Sequence, residues 1–347
     1  MYSVLKSLRN ILRKITFFKI LFVKKEFEEQ TSVSIKDFIV DLNNELNQKL
    51  NLSLTSGLVF LGGFNNLFFI EHREKNQIKY ISKIGVNHLL ERENIFFEWQ
   101  QVVESSAITP KKIDFRQINN SLLSCLTMSY MTVCKEIKPT SLLVLYKLLG
   151  QQSMFLSTLK NAEKNTFGYQ FERFGDTKIL MLLNEFVTQL HLPSSFQYIK
   201  SYLFERKNLF SDYPDVLIQI NRLVCQVDHH RQINDVTLYY GLIHGDFKKG
   251  NFVQDDRGDL KVIDLQYYQY GARLWDLAFF CSKEKMDFTQ IKEKIVLPLN
   301  ISNFEKELFS LFYIVALLLH AKKNSIGSLT VQKILPALNL INLKSLP

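Results

Sequence analysis

The stretch from residue 241 to 264 limits what this chain can fold into more than any other. The apolar run ending in LIHGD gives way to a loop, FKKGN, and then to two short strand-like runs, FVQDD and LKVID, joined across DDRGD, where Arg257-Gly258 suits a turn. A strand-loop-strand hairpin therefore carries an acid at each end, Asp246 and Asp264, with Asn251 between them. Phosphoryl transfer needs such a set, because its transition state is stabilised by positioning and by neutralising phosphate charge. It requires oxygen ligands for a divalent cation and a carboxylate that orients the acceptor. Lys248, two residues after Asp246, can set an ammonium beside the transferring group, and Lys249 adds general attraction for anions.

HGDFKKGN, VIDLQ and LWDLAFF, in that order and spacing, resemble the kinase-like superfamily, and within it the aminoglycoside phosphotransferase and choline kinase branch. The resemblance implies an α+β, bilobal protein-kinase-like fold, with a small β-rich N-terminal lobe and a larger, mainly helical C-terminal lobe. It implies ATP and Mg2+ as cofactors. It makes Asp246 the catalytic base, Asn251 and Asp264 the Mg2+ ligands and Asp276 a structural acid. Gln266, two after Asp264, is a departure, since many relatives carry an acid or glycine there.

The N-terminal half carries the matching parts. GLVFLGG, NLFFIEHRE and QIKYISKIG are β-branched and aromatic runs separated by GGFN and EKN, which predicts an antiparallel meander with tight turns. Gly62 and Gly63 would let backbone amides approach phosphate oxygens, and with Asn65 they resemble the family's GGxxN nucleotide loop. Lys83 on the third strand and Glu93 on the following helix resemble the ion pair that holds the α- and β-phosphates. Glu91 and Glu98 share that helix and compete for the pairing until its phase is known; the family's RE pattern favours Glu93. By the same resemblance LTMSYM, with Ser129 and Met131, forms the adenine-facing linker.

Ile35, Phe38, Ile39, Leu42, Leu46 and Leu50 recur at three- and four-residue steps, which predicts an amphipathic helix ahead of the meander. KKIDF and SLLSCLTMSYMTVC extend the strand content until Pro139 and Thr140 open a mainly helical half. The expected organisation is a basic segment over 1–25, an ATP-binding lobe over 26–135 and a catalytic and acceptor-binding lobe over 136–347. The His229-His230 pair has no ligand spacing and reads as polar residues at a helix end.

Charge separates the first segment from the rest. The net charge is +9, yet Lys6, Arg9, Arg13, Lys14, Lys19, Lys24 and Lys25 supply seven of those charges with no acid among residues 1–25. The remainder is nearly balanced, so no nucleic-acid partner is expected. Mixed with Leu5, Leu8, Ile11, Leu12, Ile15 and Phe18, these cations suit a helix on an anionic membrane surface. A helix packed on its own protein fits the pattern equally, and an organellar transit segment stays open. The longest apolar run, Leu311 to Leu319, falls short of a bilayer span, which takes about 20 residues. Four cysteines without ligand or disulfide spacing point to a reducing compartment, so the expected location is cytoplasmic, with peripheral contact at the inner face of the membrane.

Asp264 and Asp276 are twelve residues apart, too few for the peptide-docking segment of a protein kinase, so the expected acceptor is a small-molecule hydroxyl. Sugars, aminoglycosides, amino alcohols and lipid-linked glycans all qualify. Gln266, Tyr267, Tyr268 and Tyr270 and the helices of 150–235 are candidates for lining the acceptor site, without individual assignment. The alternative is a catalytically silent kinase-like module at a membrane, which the intact Asp246, Asn251 and Asp264 set disfavours.

Overall fold

A computed structural model describes residues 22–59, 66–102, 108–150, 177–284, 286–319 and 326–339. Its contacts divide the chain into two compact units, Met1–Thr132 and Val133–Pro347.

The first unit is a five-stranded antiparallel sheet with helices. Residues 22–31 form α1, and α2 (Ile35–Leu50) follows. Ser34 caps α2 by accepting the Asp37 N–H, and Asn51 ends it in the left-handed region, where asparagine is tolerated. Ile35, Phe38, Leu42 and Leu46 line its buried face, as their spacing predicts. The strands are β1 (Thr55–Val59), β2 (Asn66–Glu74), β3 (Gln77–Val86), β4 (Lys112–Gln117) and β5 (Leu123–Ser129), in the order β1-β2-β3-β5-β4, with α3 (Asn87–Val102) between β3 and β4. Lys75 and Asn76 both have positive φ. A two-residue loop of that kind matches the twist of the paired strands, so β2 and β3 close as a tight hairpin.

The α2 face of the sheet buries Phe68, Ile70, Ile84 and Cys125 against Phe38, Leu42 and Leu46. Phe27 of α1 stacks into the same core, 5.3 Å from both Phe38 and Phe68. Val23 is buried there as well. Residues 22–25, expected to belong to a segment distinct from the globular part, thus begin a helix that packs on this unit. The rest of that segment, 1–21, lies outside the described residues.

The strand β6 (Thr132–Val133) straddles the division. The second unit holds the helices α4 (Pro139–Gly150), α5 (Thr177–Thr188), α6 (Ser195–Glu205), α7 (Pro214–Ile233), α8 (Leu274–Lys283), α9 (Asn303–Leu319) and α10 (Ser328–Asn339). Two antiparallel pairs lie among them: β7 (Tyr240–Ile243) with β10 (Gln269–Ala272), and β8 (Phe252–Gln254) with β9 (Leu260–Val262). The apolar run of 311–319 belongs to α9, which is buried on all sides, the pattern of a central helix. Trp275 of α8 meets Phe312 of α9 edge-on at 5.7 Å. No helix among the described residues is long and apolar enough to cross a membrane. His230, which the sequence placed at a helix end, bonds Glu307 at 2.6 Å while Gln226 donates to the same carboxylate at 2.7 Å, tying α7 to α9. The α+β class expected from the sequence is the one observed.

Candidate active site

In the second unit, β7 delivers the chain into His244-Gly245-Asp246, where Gly245 takes φ +81°. A Cβ there would sit 2.6 Å from the Tyr267 carbonyl oxygen, so both the backbone angle and the space require glycine. Asp276, in the first turn of α8, is buried and accepts the backbone N–H groups of His244 at 2.6 Å and Gly245 at 3.1 Å. The acid that the family pattern makes structural therefore holds the loop by its main chain.

The His244 ring completes the frame. Its Nδ1 accepts the Asp246 N–H at 3.3 Å, which puts the ring proton on Nε2, and Nε2 donates to the Ile263 carbonyl at 3.0 Å. Ile263 in turn donates its N–H to the Asn251 carbonyl at 3.0 Å. One residue before Asp264, the chain is gripped from both sides, which brings Asp264 next to the loop bearing Asp246 and Asn251. Asp264 itself adopts the left-handed conformation, φ 64°, a cost that a short polar side chain tolerates and that recurs at functional positions.

Asp246 is nearly buried. Its Oδ2 receives the Lys248 ammonium and, at 3.1 Å, the Asn251 amide, which also donates to the Asp246 carbonyl at 2.8 Å. Oδ1 takes no part in these bonds. The same bonds commit Asn251 Nδ2 and leave Oδ1 as the atom able to ligate a cation. Sequence reasoning missed Lys283, at the end of α8. Burial holds its ammonium below the usual lysine range, Asp246 pulls it up and Lys248 pushes it down, so the three charges share one field. No motif marks it.

In the first unit, Lys83 and Glu93 form a buried ion pair at 2.7 Å. The helix phase, open at the level of sequence, is settled: Glu93 faces inward, Glu91 is exposed, and Glu98 bonds Lys112 at 2.5 Å and Asn94 at 3.1 Å. A buried pair costs desolvation that its attraction barely offsets, so its presence points to use. Ser129 ends β5 and accepts the Lys111 N–H on its hydroxyl at 2.9 Å; Met131 follows, half-buried. Gly62, Gly63 and Asn65 lie outside the described residues.

These residues fit a magnesium nucleotide. Asn251 Oδ1 and the Asp264 carboxylate are oxygen donors, two ligands of the kind a hard cation takes. Mg2+ favours such an arrangement, because it dehydrates reluctantly and completes its shell with water and substrate phosphates.

A model of the phosphotransferase enzyme family, APH, matches residues 59–294. The chain belongs to this APH family. The match spans Lys83, Glu93, Asp246, Asn251, Asp264 and Asp276. As an APH-family enzyme it is a small-molecule kinase that phosphorylates hydroxyl groups. No curated protein matches the chain. Among solved structures, spectinomycin phosphotransferase APH(9)-Ia with ADP and spectinomycin is 13% identical, with 88% of this chain and 94% of that one covered, at a TM-score of 0.47. The Plasmodium vivax ethanolamine kinase is 14% identical over 90% and 92% of the two chains, at 0.48. The choline kinase LicA of Streptococcus pneumoniae is 15% identical over 86% and 96%, at 0.40.

Proposed function

We propose that the enzyme transfers the terminal phosphoryl group of ATP, with Mg2+, to a hydroxyl of a small molecule such as a sugar, an aminoglycoside, an amino alcohol or a lipid-linked glycan. The observation that carries this reading is the Asp246 carboxylate, with Oδ2 held by Lys248 and Asn251 on a loop pinned by Asp276. Asp246 Oδ1 takes the acceptor's proton as the hydroxyl oxygen attacks, the ordinary task of a positioned carboxylate. Lys248 offers its ammonium to the charge that develops on the transferring group. Asn251 and Asp264 hold the metal; when bound, the metal neutralises phosphate charge and fixes the nucleotide's orientation. Lys83, braced by Glu93, holds the phosphates together with Gly62, Gly63 and Asn65, and Ser129 and Met131 receive the adenine.

A panel of hydroxyl compounds, covering aminoglycosides, choline, ethanolamine, hexoses and glycolipids, tested for Mg2+-dependent ADP release decides the matter. One class should stimulate release well above the water background, and Asp246→Asn should abolish that stimulation. A folded protein that binds ATP yet releases ADP with none of these classes would favour the catalytically silent binding module instead.

The acceptor class bears on residues 1–25. We propose peripheral contact of this segment with an anionic membrane at the cytoplasmic face, supported by its seven cations and absent acids. Val23 and Phe27 are buried and unavailable for such contact, while Phe22, Lys24 and Lys25 are exposed. Among the acceptors, a lipid-linked glycan would gain from it.

A further inference from the structure

A chain of polar side chains runs through the apolar core of the first unit, and every proton in it can be placed. The Leu54 carbonyl can only accept, so the Asn43 nitrogen that donates to it at 2.8 Å fixes that amide with Oδ1 on the other side. Oδ1 accepts the Ser56 hydroxyl at 2.6 Å. That hydroxyl has spent its one proton, so Ser56 Oγ accepts from His72 Nδ1 at 2.8 Å, and Nδ1 carries the ring proton. A neutral imidazole has one N–H, which makes Nε2 an acceptor for Ser82 at 2.7 Å. Ser82 then accepts from Thr127 at 2.7 Å, and the Cys125 thiol, 3.9 Å away, donates to Thr127. His72, Ser82 and Thr127 have no solvent exposure. Burial drives His72 down to about 4, so the neutral ring is the form at working pH.

The chain crosses four strands. Ser56 lies directly opposite His72, and Ser82 directly opposite Thr127. Lys83 follows Ser82 on β3 and points to the other face, as strand neighbours must. On β3, Tyr80, Ile84 and Val86 share the inner face with Ser82, so the polar chain adds to an apolar pattern that selects the same face, while Ile81 falls on the other side with Lys83. Slipping β3 by one residue would leave an isoleucine facing inward but would carry the Lys83 ammonium into the core and strip Ser82 from its partners.

We propose that His72, as the neutral Nδ1–H imidazole, is a positioning residue for Lys83, and that the polar chain from Asn43 to Thr127 locks β3 in the register that pairs Lys83 with Glu93. This rests on the reading of Lys83 as a phosphate ligand. Long-range proton-nitrogen spectra of the unaltered full chain should show the His72 proton on Nδ1; a proton on Nε2 overturns the proposal without any variant. A double-mutant cycle tests the coupling. His72→Leu should weaken binding of a non-hydrolysable Mg2+-ATP analogue by about tenfold, as expected when buried hydroxyls lose their partner. In a Lys83→Ala background it should add nothing. Equal weakening in both backgrounds, or none in a folded His72→Leu, overturns the positioning role. Normal nucleotide binding by Lys83→Ala alone would instead overturn the reading of Lys83, and the positioning role would fall with it.

Discussion

Asp276 Oδ2 accepts the His244 N–H at 2.6 Å, so a carboxylate 32 residues downstream clamps the start of the loop that carries Asp246. Burial lifts the Asp276 carboxyl to about 7, the two backbone donors pull it down and Asp246 pushes it up. The folded value lies above the unfolded value of about 3.9, so the folded state binds the proton more readily. The sign is that stability from this group grows as pH falls from above 7 toward 4. Only the ionised form offers acceptors to both N–H groups, so turnover should fall over the same range. Melting of wild type against Asp276→Asn across pH 8 to 5 should show the wild type gaining relative stability with acidity, by up to about 1.4 kcal/mol per pH unit. A difference independent of pH would dismiss this titration.

Gly245→Ala meets two obstacles, φ +81° and the Tyr267 carbonyl 2.6 Å from the new Cβ. A backbone oxygen cannot swing aside as a flexible side chain can. The expected loss is about 1–3 kcal/mol in denaturant unfolding, with a larger proportional drop in kcat than in nucleotide affinity. Unaltered unfolding would mean that the loop relaxes freely.

Asp246→Asn should lower acceptor-dependent kcat by roughly 10² or more through loss of the base, while nucleotide binding changes little. A well-folded mutant with near-normal turnover would remove Asp246 from the chemistry.

Asp264→Ala should weaken Mg2+-ATP binding as well as turnover, and Asn251→Ala should do so more mildly. Calorimetric titration of Mg2+-ATP separates the two. An Asp264→Ala protein that binds like wild type would move the metal elsewhere.

Deleting residues 1–21 should abolish binding to anionic liposomes and leave melting and soluble-acceptor turnover intact, since each cation near such a surface contributes about 1 kcal/mol. Phe27→Ala should instead cost about 3–5 kcal/mol of stability, because Phe27 is fully buried between Phe38 and Phe68. If the full-length chain ignores anionic liposomes, the lipid-linked acceptor loses its support.

Much of the α2 and hairpin architecture was legible because local rules govern it. The step from Ile35 through Phe38 and Leu42 to Leu46 marks one helix face, and the EKN break between β2 and β3 marks a turn that Lys75 and Asn76 then make with positive φ. The order HGD, Asn251, Asp264, Asp276 was equally legible, since each member sits on or beside an element a few residues long. The grip of His244 and Asn251 on Ile263 was not, for both bonds end on the Ile263 main chain, at its carbonyl and at its N–H, and leave no mark on composition.

The sequence by itself determined which residue types this protein brings to phosphate chemistry and in what order, together with the helix and strand periods, because these depend on neighbours along the chain. Tertiary structure alone decided that Glu93, not Glu91 or Glu98, turns toward Lys83, because a helix reveals its phase only when one face is buried. It alone decided that His72 is an interior hydrogen-bond link and not a surface base, because that depends on Ser56 and Ser82 arriving from other strands. And it decided that α9 is a core helix, since the same apolar run would suit other surroundings until Trp275 and the helices around it removed it from water.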